Sequence, residues 1–460
     1  MAVGVNTLIK QTIPGPPGQF LFGNMRQARE DPIGIYMRAR AQYGDVVRLR
    51  SIGKMFWVFL AHPDDVEYVL RKNQHNYPKG LFETRLKLLV GEGLLTSSGS
   101  FWLRQRRLVQ PAFHRRRLAT LGMTMTDAAE ALVERWQPRA ATGQPFNVAA
   151  EMMRLTLQIV ARALFSTDVS ADAGTVGQAL TIALEHVNYR MTHFFSLPER
   201  VPTLRNLRFR RAVRRLDAVA LRIIEEHRRS GEDVGDLLSM LLLARDEETG
   251  EGMSDAQLRD EVMTILLAGH ETTAVTLSWT WYLLACHREV ERKLHAELDE
   301  VLGGRTPRVE DLPDLPYTRM VIDEALRLYP PAWFTGRQSK DEDEIHGYRI
   351  PAGTPIAMSQ YVTHRHPAFW EQPEAFEPER FTPERSAGRP HFAYFPFGGG
   401  PRQCIGNNFA LMEAQLVLAT VARRYRLRLV PGQRVVPEPL VTLRPRGGIR
   451  MTLEERRPGS

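Results

Sequence analysis

The chain has 460 residues, 43% hydrophobic and 25% charged, enough apolar material for a sizeable core and too much for a disordered chain. Its two cysteines, Cys286 and Cys404, exclude a disulfide framework, a four-thiolate iron–sulfur cluster and a four-cysteine zinc site. The 61 Lys and Arg against 53 Asp and Glu give +8, which points to acidic partners or to a solvated arginine-rich surface; no basic run is long and aromatic-interleaved enough to favour nucleic acid.

In chain order, the opening MAVGVNTLIKQTI carries Lys10 and lacks both the pattern of a signal peptide and the length of a membrane span, so a cytoplasmic protein without a membrane anchor is expected. Residues 1–12 are read as a flexible tail, 13–456 as one domain and 457–460 as a C-terminal tail. The segment IPGPPG at 13–18 is rigid and starts the fold. Residues 45–60 read as two strands around Gly53, followed by a helix over 63–72. From about 115 to 300, apolar residues recur at three- and four-residue spacing with few Gly or Pro, which predicts long helices. Ser254 and Gln257 form a capping box opening a helix to Cys286; its uncharged stretch from Thr272 is 15 residues, short of a bilayer span, so it reads as buried. Past Pro330 come short β-like runs, then a segment dense in Pro, Phe and Gly, a last helix over 407–425, and β-type residues to 453. The expected class is mainly α with small β-sheets.

Chemistry concentrates around Cys404. Residues 397–406 read FGGGPRQCIG and a helix follows at once. The positive helix end and local backbone N–H groups would lower the thiol pKa and favour a metal-binding sulfur. Glycines at 398–400 and 406 let the backbone fold tightly and let a large flat group approach, while Arg402 suits a carboxylate on that group. A lone cysteine is ordinarily a small buried hydrophobe; Cys286 is read as an inert residue near a helix end. His270 and Glu271 open a zinc-protease reading, but Ala274 stands where the second histidine is needed. No dinucleotide or P-loop nucleotide motif is present.

The pattern F-x-x-G-x-x-x-C-x-G, filled by Phe397, Gly400, Cys404 and Gly406, resembles the haem-binding loop of the cytochromes P450. Four further matches follow the family's order: Trp102 and Arg106 in W-x-x-x-R, Ala268 to Thr273 in A-G-x-E-T-T, Glu324 and Arg327 in E-x-x-R, and PERF at Pro378 to Phe381. The resemblance implies a cytochrome P450 fold, with a long central helix over haem b (iron protoporphyrin IX) held by the Cys404 thiolate. It implies that Phe397 shields the sulfur, that Trp102, Arg106, Arg402 and more weakly Arg337 hold the propionates, and that Glu324, Arg327 and Arg380 lock the loops bearing Cys404. Around Ala268 the helix is expected to widen for dioxygen, with Thr272 activating it and Glu271 on a proton route from solvent.

The implied reaction inserts one atom of O2 into a C–H bond or a C=C bond. Its electrons come from a separate ferredoxin or flavodoxin with its reductase, and from NAD(P)H only indirectly through that reductase. Arg104, Arg107 and Arg115–Arg117 form the expected docking face for an acidic donor. Phe82–Leu95, Met191–Phe195, Ala268, Ala332–Thr335 and Leu440–Thr442 align with substrate-contact regions and are largely apolar, which points to a fatty acid, terpenoid, steroid or polyketide. The A-G-H-E-T-T and PERF versions resemble the microsomal-like branch, and a soluble bacterial member of it is expected.

Overall fold

The IPGPPG segment is laid along a strand: the Arg48 N–H donates to the Pro14 carbonyl at 2.7 Å, and a Cβ on Gly15 would stand 1.9 Å from the Arg48 carbonyl oxygen. This is seen in a computed structural model that describes residues 12–168, 173–193, 196–230, 235–245 and 250–456. The expected terminal tails, 1–12 and 457–460, lie outside the described residues apart from Thr12. The chain divides into two compact units.

The first unit comprises Met1–Phe82, Trp333–Pro373 and Arg389–Gln403. Its centre is a four-stranded sheet in the order Val46–Arg50, Phe56–Leu60, Pro355–Met358, Thr335–Gln338; the two expected strands around Gly53 are its first hairpin. Alternation sends side chains to opposite faces, and both faces are apolar. Val46, Val58, Leu60, Ile356 and Met358 join one core cluster; Val47, Leu49, Phe59 and Ala357 join another with Ile35 and Tyr36. The helix expected over 63–72 is present, α from Pro63 to Glu67 and π-helical from Tyr68 to Lys72.

The second unit comprises Glu83–Ala332, Glu374–Gly388 and Cys404–Ser460 and carries the long helices. Asp255–Cys286 is opened by the expected capping box, in which Ser254 and Gln257 exchange both side-chain bonds. It packs on Val148–Phe165, Leu204–Ser230, Pro316–Leu328 and Asn407–Ala422. That contact on several sides explains why its apolar residues run all round rather than along one stripe. The last helix ends at Ala422 rather than 425. Tyr425 instead starts the strand Tyr425–Leu429, pairing with Glu455, and its hydroxyl donates to the Val133 carbonyl at 3.1 Å. No helix among the described residues is long and apolar enough to cross a membrane.

Candidate active site

Between Glu261 and Trp281 every residue of the long helix is buried except Ala268, Gly269 and Thr272. Ala268 and Thr272 lie four apart on one face, so the helix opens at a single place. The Thr272 hydroxyl donates to the Ala268 carbonyl at 2.6 Å. The segment is α-helical without interruption, and the hydroxyl bonds back onto its own helix, a contact that tends to bend a helix. At Gly269 a Cβ would come within 2.9 Å of Val160 Cγ2, so glycine here serves the close approach of Val148–Phe165.

Glu271 faces a different direction. It is buried and accepts a 2.6 Å hydrogen bond from the Thr442 hydroxyl, beside the hairpin of Pro437–Pro439 and Leu443–Pro445. Burial raises its pKa, with Thr442 and Arg444 opposing. Its neighbour His270 is fully buried, with Nε2 2.8 Å from the Met153 carbonyl, which fixes the neutral Nε2–H tautomer. Burial pushes its pKa down to about 4.

Cys404 directly precedes the Ile405–Gly406 turn into Asn407–Ala422. Its side chain is accessible although protein crowds it closely, as for a thiol set in a deep recess. Crowding raises the thiol pKa, and the Gly406 N–H and the charge of Arg106 only partly offset it. The expected lowering by the helix end is therefore overturned, because desolvation of the thiolate outweighs one N–H and one cation. Arg106 bears the same cost: burial lowers its pKa and the Cys404 charge opposes this. Trp102 and Arg106 share a face of the helix Gly99–Val109, both half-buried.

In the first unit, Phe397 is half-buried, and Arg402 ends a 3-10 turn that begins at Gly400. Gly400 has φ +67° and a Cβ there would lie 1.9 Å from the Leu70 carbonyl oxygen, so no other residue fits. Gly406, in the second unit, differs. Its φ is −91° and a Cβ would meet only Phe113, at an ordinary 3.6 Å, so the protein's own packing does not demand glycine there. Arg337 is half-buried on the strand Thr335–Gln338, with Nη1 donating to the Gly336 carbonyl at 2.7 Å.

The E-x-x-R pair is fully buried. Arg327 donates to both Glu324 oxygens at 2.6 and 2.7 Å and to the Ala375 carbonyl at 2.9 Å; the Glu377 N–H reaches Glu324 at 3.0 Å, and Arg380 lies 3.4 Å from it. The network pins the segment from Ala375 to Arg380 to the helix Pro316–Leu328. Removing one partner would leave a buried charge, at a cost of about 3–5 kcal/mol.

Several expected contacts have other duties. Trp333 and Phe334 pack with Tyr36 in the first unit's core. Arg104 donates to the Glu251 carbonyl at 3.1 Å, and Arg117 to the Gly235 carbonyl at 2.8 Å, so two of the five docking arginines also serve the fold. The side chains of Phe82, Arg115 and Arg116, and all of Phe194 and Phe195, lie outside the described residues. An open cleft of about 1100 Å³ bordered by Arg104, His227, Arg228 and Arg245 touches none of Cys404, Thr272 or Glu271.

One charged residue escaped the sequence reading. Glu413, nine positions after Cys404, is fully buried with neither carboxylate oxygen hydrogen-bonded, and burial raises its pKa well above the usual range. Thr273 on the long helix offsets that shift slightly without forming a well-aligned bond. The signal was a lone acid in the apolar run from Leu411 to Ala422.

A cytochrome P450 family model matches residues 13–451. The chain belongs to the cytochrome P450 family. It is 40% identical to the cyclooctat-9-en-7-ol 5-monooxygenase of Streptomyces melanosporofaciens over 86% of this chain and 85% of that one. It is 35% identical to the pentalenene oxygenase of Streptomyces avermitilis over 99% of each chain. Among solved structures, the haem domain of cytochrome P450DA is similar at a TM-score of 0.87 and 30% identity, covering 97% of this chain and 98% of that one. The protein is accordingly a P450 monooxygenase that uses haem iron and O2. The residues present fit that group: an accessible thiol in a deep recess beside a half-buried arginine, with a glycine next to it that the protein's own packing does not require.

Proposed function

We propose that this P450 hydroxylates a terpenoid, with Cys404 as the thiolate that would hold the iron of haem b. The Cys404 recess, flanked by Arg106 and the Gly406 N–H, carries the reading. Phe397 would shield the sulfur, Gly406 would admit the macrocycle, and Trp102, Arg106, Arg402 and Arg337 would hold its carboxylates by charge-assisted hydrogen bonds. Haem so bound supplies an iron whose thiolate ligand favours O–O cleavage.

The chain's own part is placement and protons. Ala268 and Thr272 line the one opening in the buried helix, where the absence of a larger side chain leaves room for a reacting molecule. The Thr272 hydroxyl, now donating to the Ala268 carbonyl, can turn to donate there instead. Glu271, its pKa raised by burial, would hold a proton and exchange it by way of Thr442, which sits beside Arg444 on the partly exposed strand Leu443–Pro445. The two relatives act, by their names, on cyclooctat-9-en-7-ol and pentalenene, which supports a terpenoid over the fatty acid, steroid or polyketide that the apolar segments equally allow. A separate ferredoxin or flavodoxin with its NAD(P)H-dependent reductase would deliver electrons in the cytoplasm. The arginines Arg104, Arg107 and Arg115–Arg117 would form the docking face for that acidic donor.

The test is the carbon-monoxide difference spectrum of the reduced holoenzyme and of C404S, followed by a spin-shift screen of terpenes. The wild type should give the thiolate-type Soret band and C404S should not. A wild type without that band defeats the ligand assignment, while a screen in which only fatty acids shift the spin state defeats the substrate.

A further inference from the structure

Three consecutive charged residues near the start of the long helix, Arg259, Asp260 and Glu261, all reach for the same loop. Arg259 donates to the Leu89 carbonyl at 3.2 Å, Asp260 accepts from the Glu92 N–H at 2.7 Å, and Glu261 accepts from the Leu94 N–H at 3.2 Å. Glycine permits the approach. A Cβ on Gly91, at φ +62°, would lie 2.2 Å from the Asp260 carboxylate, and one on Gly93 would lie 2.1 Å from Thr264 Oγ1. The loop is also tied to itself, the Thr96 hydroxyl donating to the Gly91 carbonyl at 2.6 Å and the Ser97 N–H to the Gly93 carbonyl at 2.9 Å. Glu261, Thr264, Ala268 and Thr272 follow at spacings of three, four and four and share a face, which puts this loop two turns from the opening at Ala268–Thr272.

Of the two acids, Asp260 has a cation and Glu261 has none among the described residues. Arg259 donates to Asp217 and to Asp260, each at 2.8 Å, and Lys87 donates to Glu92 at 2.6 Å, so the nearest cations are engaged. Arg104 and Arg228, which border the same cleft as Glu92 and Asp260, are held by the Glu251 carbonyl and by Asp255. Glu261 itself is fully buried, and its Oε1 has no hydrogen-bond partner. The Leu94 N–H is its one bond, and the charge acting on it, that of Asp260, has its own sign.

In the closed loop Glu261 therefore resists ionisation. Burial pushes its pKa up to about 7, with the Leu94 N–H opposing and Asp260 adding. Lifting the loop would return the carboxyl to water and to the ordinary carboxylate range, so the open form gives up its proton first. Closure is thus favoured in acid, and opening gains as pH rises toward 7 and levels off above it.

We propose that Glu261 is a positioning residue whose proton holds the loop Leu89–Leu94 over the face leading to Ala268 and Thr272, so that entry to this face tightens in acid and loosens toward neutral pH. The inference rests on the proposed site at that opening.

The experiment is hydrogen–deuterium exchange of the holoenzyme at amides 91–97, for wild type, E261Q and E261A, at about pH 5.5 and about pH 7.5. Comparing variants at one pH cancels the intrinsic pH dependence of exchange. E261Q keeps an acceptor for the Leu94 N–H and has no charge to bury. The ratio of wild-type to E261Q exchange should rise on the order of tenfold between the two pH values. E261A, with no acceptor, should exchange fast at both. Stopped-flow binding of phenylimidazole to the ferric haem should follow the same course, the wild type gaining on E261Q as pH rises. Both variants should keep the reduced carbon-monoxide spectrum of the wild type, so a failure of haem binding is told apart from a failure of the loop. A ratio that does not change with pH would overturn the proposal. So would faster exchange in E261Q than in wild type near pH 7.5, which would mean that the charge itself holds the loop. Exchange that follows pH while phenylimidazole entry does not would overturn it as well, because the loop would then be separate from the site.

Discussion

The helices Asp255–Cys286 and Leu204–Ser230 are 32 and 27 residues long, pack on one another, and obey opposite rules. The first is buried nearly all round, and most of its polar side chains turn inward: Thr276, Ser278 and Thr280 each donate to the carbonyl four residues back, at 2.9, 2.6 and 2.9 Å. The second keeps a conventional buried stripe and exposes arginine on the other side. Each helix is informative where it departs from its own rule. Between Glu261 and Trp281 the buried one opens only at Ala268–Thr272, and the exposed one leaves Arg208, Arg211, Arg214 and Arg215 without an ion pair among the described residues. An opening in a packed element leads toward chemistry, whereas unpaired like charge on a surface element burdens the helix that carries it.

The largest effect expected from disturbing this contrast is on the buried side. His270 has a folded pKa of about 4, below the 6.5 of an exposed histidine. As pH falls from 6.5 toward 4 the unfolded chain takes up a proton that the folded protein refuses, so stability is lost across that window, by about 3 kcal/mol for this one group. Gln can keep a donor toward the Met153 carbonyl without titrating. Thermal unfolding of H270Q should therefore show a shallower loss between pH 6.5 and 4 than the wild type; parallel curves would mean that His270 is not buried neutral. His295, buried near Arg456 and pushed down to about 3, adds a second loss of the same sign that H270Q leaves in place.

Next in size is T272A. The substitution removes the hydroxyl at the opening and leaves an Ala-to-Ala helix turn that costs the fold little. Product formation should fall roughly a hundredfold while oxygen consumption continues. T272S, which keeps the hydroxyl, should recover most of the coupling. Product and oxygen consumption falling together in T272A would show that Thr272 shapes the site and does not manage protons.

What could be read in advance depended on how local the cause was. The capping box is local, because Ser254 and Gln257 are three residues apart, and the start of the long helix was legible from them. The Cys404 loop was legible because its glycine pattern sits within ten residues, although the thiol's pKa was not. Helix-end electrostatics is visible in sequence, but the burial of the sulfur that outweighs it is not. For the same reason Glu271 was expected to act beside Thr272, whereas its real partner is Thr442, 171 positions away. Glu413 looked like a stray acid, since its neighbour Thr273 belongs to another helix. The arginine run was countable from the start, but which side it occupies, and that no carboxylate among the described residues pairs with Arg208, Arg211, Arg214 or Arg215, needed the packing of Leu204–Ser230 on Ala173–Thr192.

The smallest expected effect lies on the exposed side and has the opposite sign. Arg211 stands three residues from Arg208 and Arg214 and four from Arg215, so R211Q removes several like-charge contacts at once. Each such contact destabilises a helix by about 0.2–0.5 kcal/mol at low salt, and screening shrinks it further. R211Q should therefore raise the thermal midpoint slightly in dilute buffer, and the gain should vanish at high salt. A guanidinium that served the fold would give the reverse result, a loss of stability that salt does not remove. In that case Arg211 would belong with the paired arginines of the helix's second half, such as Arg222 with Glu226, and the run would carry no unmet charge there.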